Sequence, residues 1–195
     1  MDVNALHTAT EILAEYLSEV THGDLGQATP ANSWDIGDLY IHLIEENISI
    51  ARGLADEPVH KKVSKADKVT RSDLEAAAHL YGGGYEERYR RTSRALENAF
   101  AAVADRESLH SIDGITRTAH AWYDRQVNNT VIHTWDMTQA MGFTYHPSPD
   151  VALRVLRTES DLSIDDVTAI WEAALRLSGR LPAVQQVQAV RTAPR

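Results

Sequence analysis

Residues 33–53 read SWDIGDLYIHLIEENISIARG, and their periodicity decides the fold. Ile36, Leu39, Tyr40, Leu43, Ile44, Asn47, Ile48 and Ala51 recur at three- and four-residue spacings, which puts them on one face of a helix. Ser33 stands where a cap is expected, with Asp35 and Asp38 near the positive end of the helix dipole. The pattern stops near Gly53 and Pro58. A single amphipathic helix cannot bury its own stripe, so partners of the same kind must exist elsewhere in the chain.

They are found on both sides. Upstream, Ala5, Ala9, Ile12, Leu13, Tyr16, Leu17 and Val20 predict a helix over residues 3–20, followed by a loop over 22–33 that is rich in Gly, Thr, Pro, Asn and Ser. Downstream, residues 57–70 are polar and carry four lysines, as expected of an exposed crossover. Ser72 and Glu75 form a capping-box pair that would open a long third helix reaching Val103. Gly82, Gly83 and Gly84 interrupt it at a cost of about 1 kcal/mol per glycine relative to alanine, so a kink or two separate helices can replace one. Residues 105–117 read as a loop or a short extended turn. A fourth helix is predicted over 118–141, stopped by Gly142. Ser148-Pro149 opens a helix over 150–157, and Ser163 with Asp166 opens another over 164–177 that Gly179 closes.

The expected architecture is an all-α four-helix bundle with a long crossover and one or two short C-terminal helices. It occupies a single domain over residues 1–182, with a fraying tail over 183–195. A length of 195 residues suits one domain, and ten glycines with six prolines are too few for a turn-rich β-sandwich. No repeat or low-complexity tract is present.

Composition narrows the chemistry. With no cysteine, the chain has no disulfide, no thiolate-held zinc or iron–sulfur cluster and no cysteine nucleophile, which leaves nine histidines as soft ligands and proton carriers. A net charge of −9 argues against nucleic acid or an anionic membrane as a partner. No apolar run approaches the ~18 residues of a spanning helix, and the first residues lack the basic start of a signal peptide. A soluble, cytoplasmic protein is the expectation.

Two polar constellations stand out. On the predicted fourth helix Gln126, Asn129, His133 and Asp136 follow spacings of three, four and three and share one face, beside Val127, Val131, Ile132, Trp135 and Met137. Such a stripe meets either solvent or a site. On the second helix Asp38, His42 and Glu46 are spaced by four, so two carboxylates flank an imidazole. That is either an exposed ion pair or an arrangement that orients His42, raises its pKa or completes a metal site. His42, His133 and Asp136 could together move protons near neutral pH.

Other features read more plainly. Arg88, Arg90, Arg91 and Arg94 suit a solvated helix face, and the glycine triplet lacks the Lys-Ser/Thr ending of a phosphate loop. His120, Trp122 and Tyr123 suit a pocket wall or core packing alike. His7, His22, His60, His79, His110 and His146 occur in no paired spacing and read as surface or incidental.

Ser33-Trp34-Asp35-Ile36-Gly37-Asp38-Leu39-Tyr40-Ile41-His42-Leu43 resembles the W-x-x-x-D-L-x-x-H-L segment of the DinB-like superfamily, and specifically of the mycothiol-dependent maleylpyruvate isomerase N-terminal domain and its actinobacterial relatives. Val131-Ile132-His133-Thr134-Trp135-Asp136-Met137 with Ala140-Met141-Gly142 resembles the same family's V-x-H-x-W-D-L-x-x-A-x-G signature, and Ser178-Gly179-Arg180 fits its closing segment. The resemblance implies a divalent metal, zinc or nickel, held by one histidine on the second helix and a Glu-x-x-x-His or His-x-x-x-His pair on the later one. Carried over, these positions are His42, Asn129 and His133. Asn129 departs from the pattern, because a neutral amide is a poor ligand beside carboxylate or imidazole. Glu45 or Glu46 could supply the third ligand instead.

The resemblance also implies a small thiol, mycothiol, which would bring the sulfur that the chain lacks, with Trp34, Gln126 and Trp135 as cofactor-lining candidates. The expected function is a thiol-dependent metalloenzyme, an S-transferase or isomerase acting on a small molecule. Two alternatives stay open at this point: a metal-free enzyme of the same fold using His42, His133 and Asp136 in acid–base chemistry on a small molecule or natural-product intermediate, and a non-catalytic ligand-binding or stress-associated protein. An exposed bundle face could support a homodimer.

Overall fold

The computed structural model describes residues 1–31, 33–55, 69–77, 84–159 and 167–182. Among them run α1 (Asn4–Ser18), a 3₁₀ turn (His22–Asp24), α2 (Ile36–Leu54), α3 (Arg71–Ala77), α4 (Tyr85–Ala102), β1 (Leu109–Ile112), β2 (Ile115–Thr118), α5 (Ala119–Ala140), α6 (Pro149–Glu159) and α7 (Val167–Leu177). The chain divides into two compact units, Met1–Pro147 and Ser148–Arg195. In the first unit α1 and α2 each pack against both α4 and α5, which makes the four-helix bundle expected from the stripes. In the second unit α6 packs on α7.

The bundle interior has two apolar regions. One joins Leu13, Leu17, Leu39, Leu43, Ile44, Tyr89 and Met137, and the other joins Leu6, Ile50, Leu96, Phe100, Trp122 and Val127. Each fully buried side chain of this size contributes about 1.5–3 kcal/mol relative to its exposed state. Along α2 the buried seam continues through Ile50 and Leu54, while Ile48 and Ala51 lie at its half-buried margin.

The start of α2 differs from the expectation. Its cap is Asp35, whose carboxylate accepts from the backbone N–H of Asp38 at 2.9 Å, and Ser33 is exposed. A carboxylate wins here because it also takes two hydrogen bonds from the Arg71 guanidinium, at 2.6 and 2.8 Å, which a serine hydroxyl cannot. Gly37 makes room for that fork: a Cβ there would collide with Arg71. The space taken by the Arg71 guanidinium explains why a glycine is kept in the first turn of a helix despite its ~1 kcal/mol propensity penalty.

Thr70 and Asp73, rather than Ser72 and Glu75, cap α3, with Asp73 Oδ2 accepting from Thr70 N at 2.7 Å and Thr70 Oγ1 accepting from Asp73 N at 3.2 Å. The expected long third helix is two helices, α3 and α4, and Gly84 enters α4 at φ 100°. Residues 78–83 and most of the lysine-bearing crossover lie outside the described residues.

Residues 109–118 form an antiparallel hairpin, not a loop. Its turn, Asp113-Gly114, has φ of 50° and 80°, the left-handed pair that a two-residue hairpin turn requires. The hairpin is tied to α2 through His110, which is 7% exposed and corrects the expectation of a surface histidine. Its Nδ1 donates to the Gly53 carbonyl at 3.3 Å and its Nε2 accepts from the Ser108 hydroxyl at 2.8 Å. Trp122 Nε1 on α5 donates to the His110 carbonyl at 3.1 Å, so one hairpin joins the end of α2 to the first turn of α5.

Thr118 caps α5 by accepting from Ala121 N at 3.1 Å, and Gly142 ends it as expected. In the second unit Ala152 N donates to the Ser148 carbonyl at 2.9 Å, and α7 closes with Arg180 N donating to the Leu175 carbonyl at 2.8 Å. The Ser163–Asp166 pair and the tail beyond residue 182 lie outside the described residues.

The Arg71 hydrogen bonds hold the Asp35 carboxyl below its ordinary value of 3.8. A lowered carboxyl pKa contributes stability above the unfolded-state value and loses it as pH falls through the folded-state value. Asp35→Ala is expected to cost about 1–2 kcal/mol in urea melts at neutral pH. The gap from the parent protein should shrink once the pH drops below 3.8, whereas a pH-independent gap would assign the loss to packing instead.

Candidate active site at the α2–α5 seam

His42 stands in the second turn of α2 and His133 in the fourth turn of α5, and the packing of the two helices brings their rings to 5.2 Å between centroids at 78°. Trp34, just before α2, lies 4.7 Å from the His42 ring and 6.4 Å from the His133 ring, so it spans the pair. All three come from the two sequence motifs. The fourth-helix stripe is therefore buried rather than solvated: Gln126 is 2% exposed, His133 6% and Asp136 0%.

His133 has a fixed tautomer. Its Nδ1 lies 3.0 Å from Asp136 Oδ2, one turn further along α5, and a carboxylate at that distance takes the Nδ1 proton as a hydrogen bond, so in the neutral ring Nε2 carries the lone pair. Burial lowers the pKa of His42, with the His133 and Arg125 charges acting the same way and Glu46 opposing them. His42 is consequently neutral at pH 7. The seam thus presents two imidazoles edge to face beneath an indole, and of these His42 is neutral.

The second carboxylate is Glu46, one turn beyond His42. Its Oε1 accepts from Arg125 Nη1 at 2.7 Å and from Asn129 Nδ2 at 3.1 Å. Its Oε2 is buried, has no hydrogen-bond partner among the described residues and lies 3.7 Å from His42 Nε2. Arg125 is held from its other side by the Trp122 ring, 5.6 Å from the guanidinium carbon. One layer deeper, Gln126 Nε2 donates to Asn47 Oδ1 at 3.1 Å and Asn47 Nδ2 donates to Ser93 Oγ at 3.1 Å, a polar crosslink between α2, α4 and α5.

The expected site residues sort accordingly. Trp34, His42, Glu46, Asn129, His133 and Asp136 come together. Gln126 faces the bundle interior, and Trp135 is half-buried without a ring contact to either histidine among the described residues. Asp38 does not flank His42; it belongs to the α2 cap, 3.6 Å from Arg71. Glu45 is exposed. Arg125 escaped the sequence reading, although it continues the 129–133 spacing by one more turn of four and so announces its face.

A divalent metal, which the family resemblance implies, can be tested against these donors. The two imidazoles and Glu46 Oε2, which has no hydrogen-bond partner among the described residues, are donors of a suitable kind. The third position, however, is the Asn129 amide, whose NH₂ is committed to Glu46, and the Glu46 carboxylate is already neutralised by a guanidinium. No group of three His, Asp or Glu among the described residues comes together as a metal ion requires. The residues present do not fit a metal.

The comparisons with known proteins agree with the fold. A family model, mycothiol maleylpyruvate isomerase N-terminal domain, matches residues 6–138. No curated protein sequence matches. Among solved structures the chain is similar to the crystal structure of the mycothiol-dependent maleylpyruvate isomerase, with 14% identity and a TM-score of 0.59 over 80% of this chain. The chain spans 65% of the length of that protein. Among the described residues, no helix is long and apolar enough to cross a membrane.

Because Glu46 has 9% side-chain exposure, removing its cation leaves a poorly hydrated charge. Arg125→Met is expected to destabilise by about 1–3 kcal/mol, between the values of exposed and fully buried pairs. Adding Glu46→Gln should recover part of the loss, and a double-mutant cycle with strictly additive losses would show that the pair does not couple.

Proposed function

The chain belongs to the mycothiol maleylpyruvate isomerase N-terminal-domain family, and from that premise we propose that it is an enzyme acting on a small molecule with a mycothiol-type thiol, an isomerase or S-transferase, in which imidazole rather than a metal activates the sulfur. The observation that carries this reading is the Asp136–His133 pair, with its Nε2 turned away from the carboxylate and its ring beside the neutral His42 imidazole, under the Trp34 ring.

Isomerisation and S-transfer share their first step. A thiol must lose its proton, and its sulfur then forms a bond to an electrophilic carbon of the substrate. His133 Nε2 takes the proton, and Asp136 steadies the imidazolium that results, as carboxylates do beside catalytic histidines. His42 is near enough to serve the other proton transfer. In an isomerisation through a conjugated carbonyl, sulfur adds to the double bond, whose π electrons move to the carbonyl oxygen; rotation about the resulting single bond and expulsion of sulfur return the thiol unchanged. In an S-transfer the carbon–sulfur bond is kept and the proton leaves with the displaced group or stays on the product. Trp34 supplies an apolar cover that keeps water from the sulfur.

The test is turnover with mycothiol as the thiol and a set of conjugated carbonyl acceptors that includes maleylpyruvate. Thiol-dependent turnover is expected to persist in chelator and to fall by about 10²–10⁴-fold in His133→Ala. Asp136→Asn should show a loss of the same kind, through the wrong tautomer of His133. Activity that the chelator removes and a divalent ion restores would return the chemistry to a metal held by His42, His133 and Glu46. No thiol-dependent turnover with any acceptor, in protein that also fails to bind mycothiol, would favour a non-enzymatic role.

A further inference from the structure

We propose that the Arg125–Glu46–Asn129 contact stands in the place of a bound cation, and that residues 125 and 129 together decide whether this end of the bundle can hold a metal. The inference deepens the metal-independent reading above and rests on it. Three observations converge. Glu46 is a buried carboxylate whose Oε1 is held by a guanidinium at 2.7 Å and an amide at 3.1 Å, while Oε2, without a hydrogen-bond partner among the described residues, faces His42. A buried carboxylate beside a neutral imidazole needs a positive partner, and Arg125 supplies it from within the chain. Asn129 lies four residues from both Arg125 and His133, so the three share one helix face, and whatever side chain occupies position 129 lies between the guanidinium and the imidazole.

The consequence is a competition for Glu46. A divalent ion drawn to His42 and His133 would have to displace the Arg125 hydrogen bond or settle near a fixed positive charge with only two strong ligands. Asn129 cannot make up the deficit. Its NH₂ is committed to Glu46, and its oxygen is neutral. Arg125 and Asn129 are therefore positioning residues: they hold Glu46 against its helix and leave both imidazole lone pairs for protons. Arg125 is further fixed by the Trp122 ring, so the guanidinium cannot leave Glu46 without giving up a second contact.

The experiment uses cobalt(II) as a spectroscopic stand-in for zinc, on full-length protein carrying no histidine tag. Four proteins are compared: the parent, Asn129→His, Arg125→Gln and the double variant. Asn129→His creates a pair of histidines spaced by four with His133, opposite His42, a spacing that places two imidazoles on one face for metal binding. The parent should show no tetrahedral cobalt absorption. Asn129→His should gain it at about one equivalent, and Arg125→Gln in that background should tighten binding by about tenfold or more, the scale on which groups around a ligand set tune affinity. Far-ultraviolet circular dichroism and thermal melts establish that each variant is folded. Should Asn129→His alone unfold the bundle, Arg125→Gln alone must still raise cobalt affinity over the parent, since it frees Glu46.

Three results would overturn the proposal: stoichiometric tetrahedral cobalt in the parent protein, no cobalt binding by folded Asn129→His, or an affinity indifferent to Arg125→Gln. None of these depends on turnover. If the parent binds no metal yet shows no thiol-dependent activity, the functional reading fails while the inference about residues 125 and 129 stands.

Discussion

The seam between α2 and α5 is organised by one demand: Glu46 and Asp136 are carboxylates inside a helical bundle, and each must find its positive or hydrogen-bonding partner from the chain itself. An isolated buried carboxylate costs several kcal/mol. Asp136 meets the demand within α5, by taking the His133 N–H one turn away. Glu46 cannot do so within α2 and reaches across to Arg125 and Asn129. That reach fixes the register of α2 against α5, and the register in turn brings His42 to within 5.2 Å of His133. The Gln126–Asn47–Ser93 crosslink repeats the same logic one layer deeper and brings α4 into the same alignment. A one-residue slip of either helix would unpair both layers at once, so the polar contacts specify the geometry that apolar packing alone would leave adjustable.

The bundle itself was legible because its signal is redundant. Four helices each carry an apolar stripe over several turns, and errors of a residue or two at the ends do not change which faces meet. The capping sites were less legible for a physical reason. At the start of α2 both Ser33 and Asp35 satisfy the local rule, and the choice is made by Arg71, a residue 36 positions away in sequence. At the start of α3 Thr70 with Asp73 and Ser72 with Glu75 satisfy the same motif two residues apart. Local patterns rank such alternatives equally, and tertiary contacts separate them. The hairpin is a different case: Asp113-Gly114 is a strong turn signal, but strands of four residues are too short for alternation to be read with any weight.

At the site, the sequence named the two histidines, the indole, Asp136 and Glu46 through motif spacing, and the structure brings these together. It misled on Asp38, because a four-residue spacing shows only that two residues share a helix face, and a carboxylate in the first turn is also drawn to the backbone N–H groups and to any nearby arginine. Gln126 shows the converse. Its place on the stripe is right, yet a helix face about four turns long runs past the histidines into the core, where the same polar character serves the bundle rather than a ligand. Arg125 was missed because its four-residue spacing from Asn129 marks only its helix face; its meaning comes from Glu46 on another helix.

The two carboxylate–imidazole pairs are alike in composition and unlike in geometry. Asp136 holds the N–H of His133 at hydrogen-bond distance, which fixes the tautomer and leaves Nε2 as the basic atom. Glu46 presents Oε2 to His42 at 3.7 Å, beyond a hydrogen bond, and its charge is shared with Arg125. His133 is therefore the imidazole whose ring is oriented by a carboxylate in contact, while burial with a partly neutralised Glu46 keeps His42 uncharged. A site that must take a proton from one atom and return it to another gains from two bases so distinguished, since two equivalent ones would leave the order of transfer undefined. Arg125 adds to the asymmetry by sharing the charge of Glu46, while burial is the larger influence on His42.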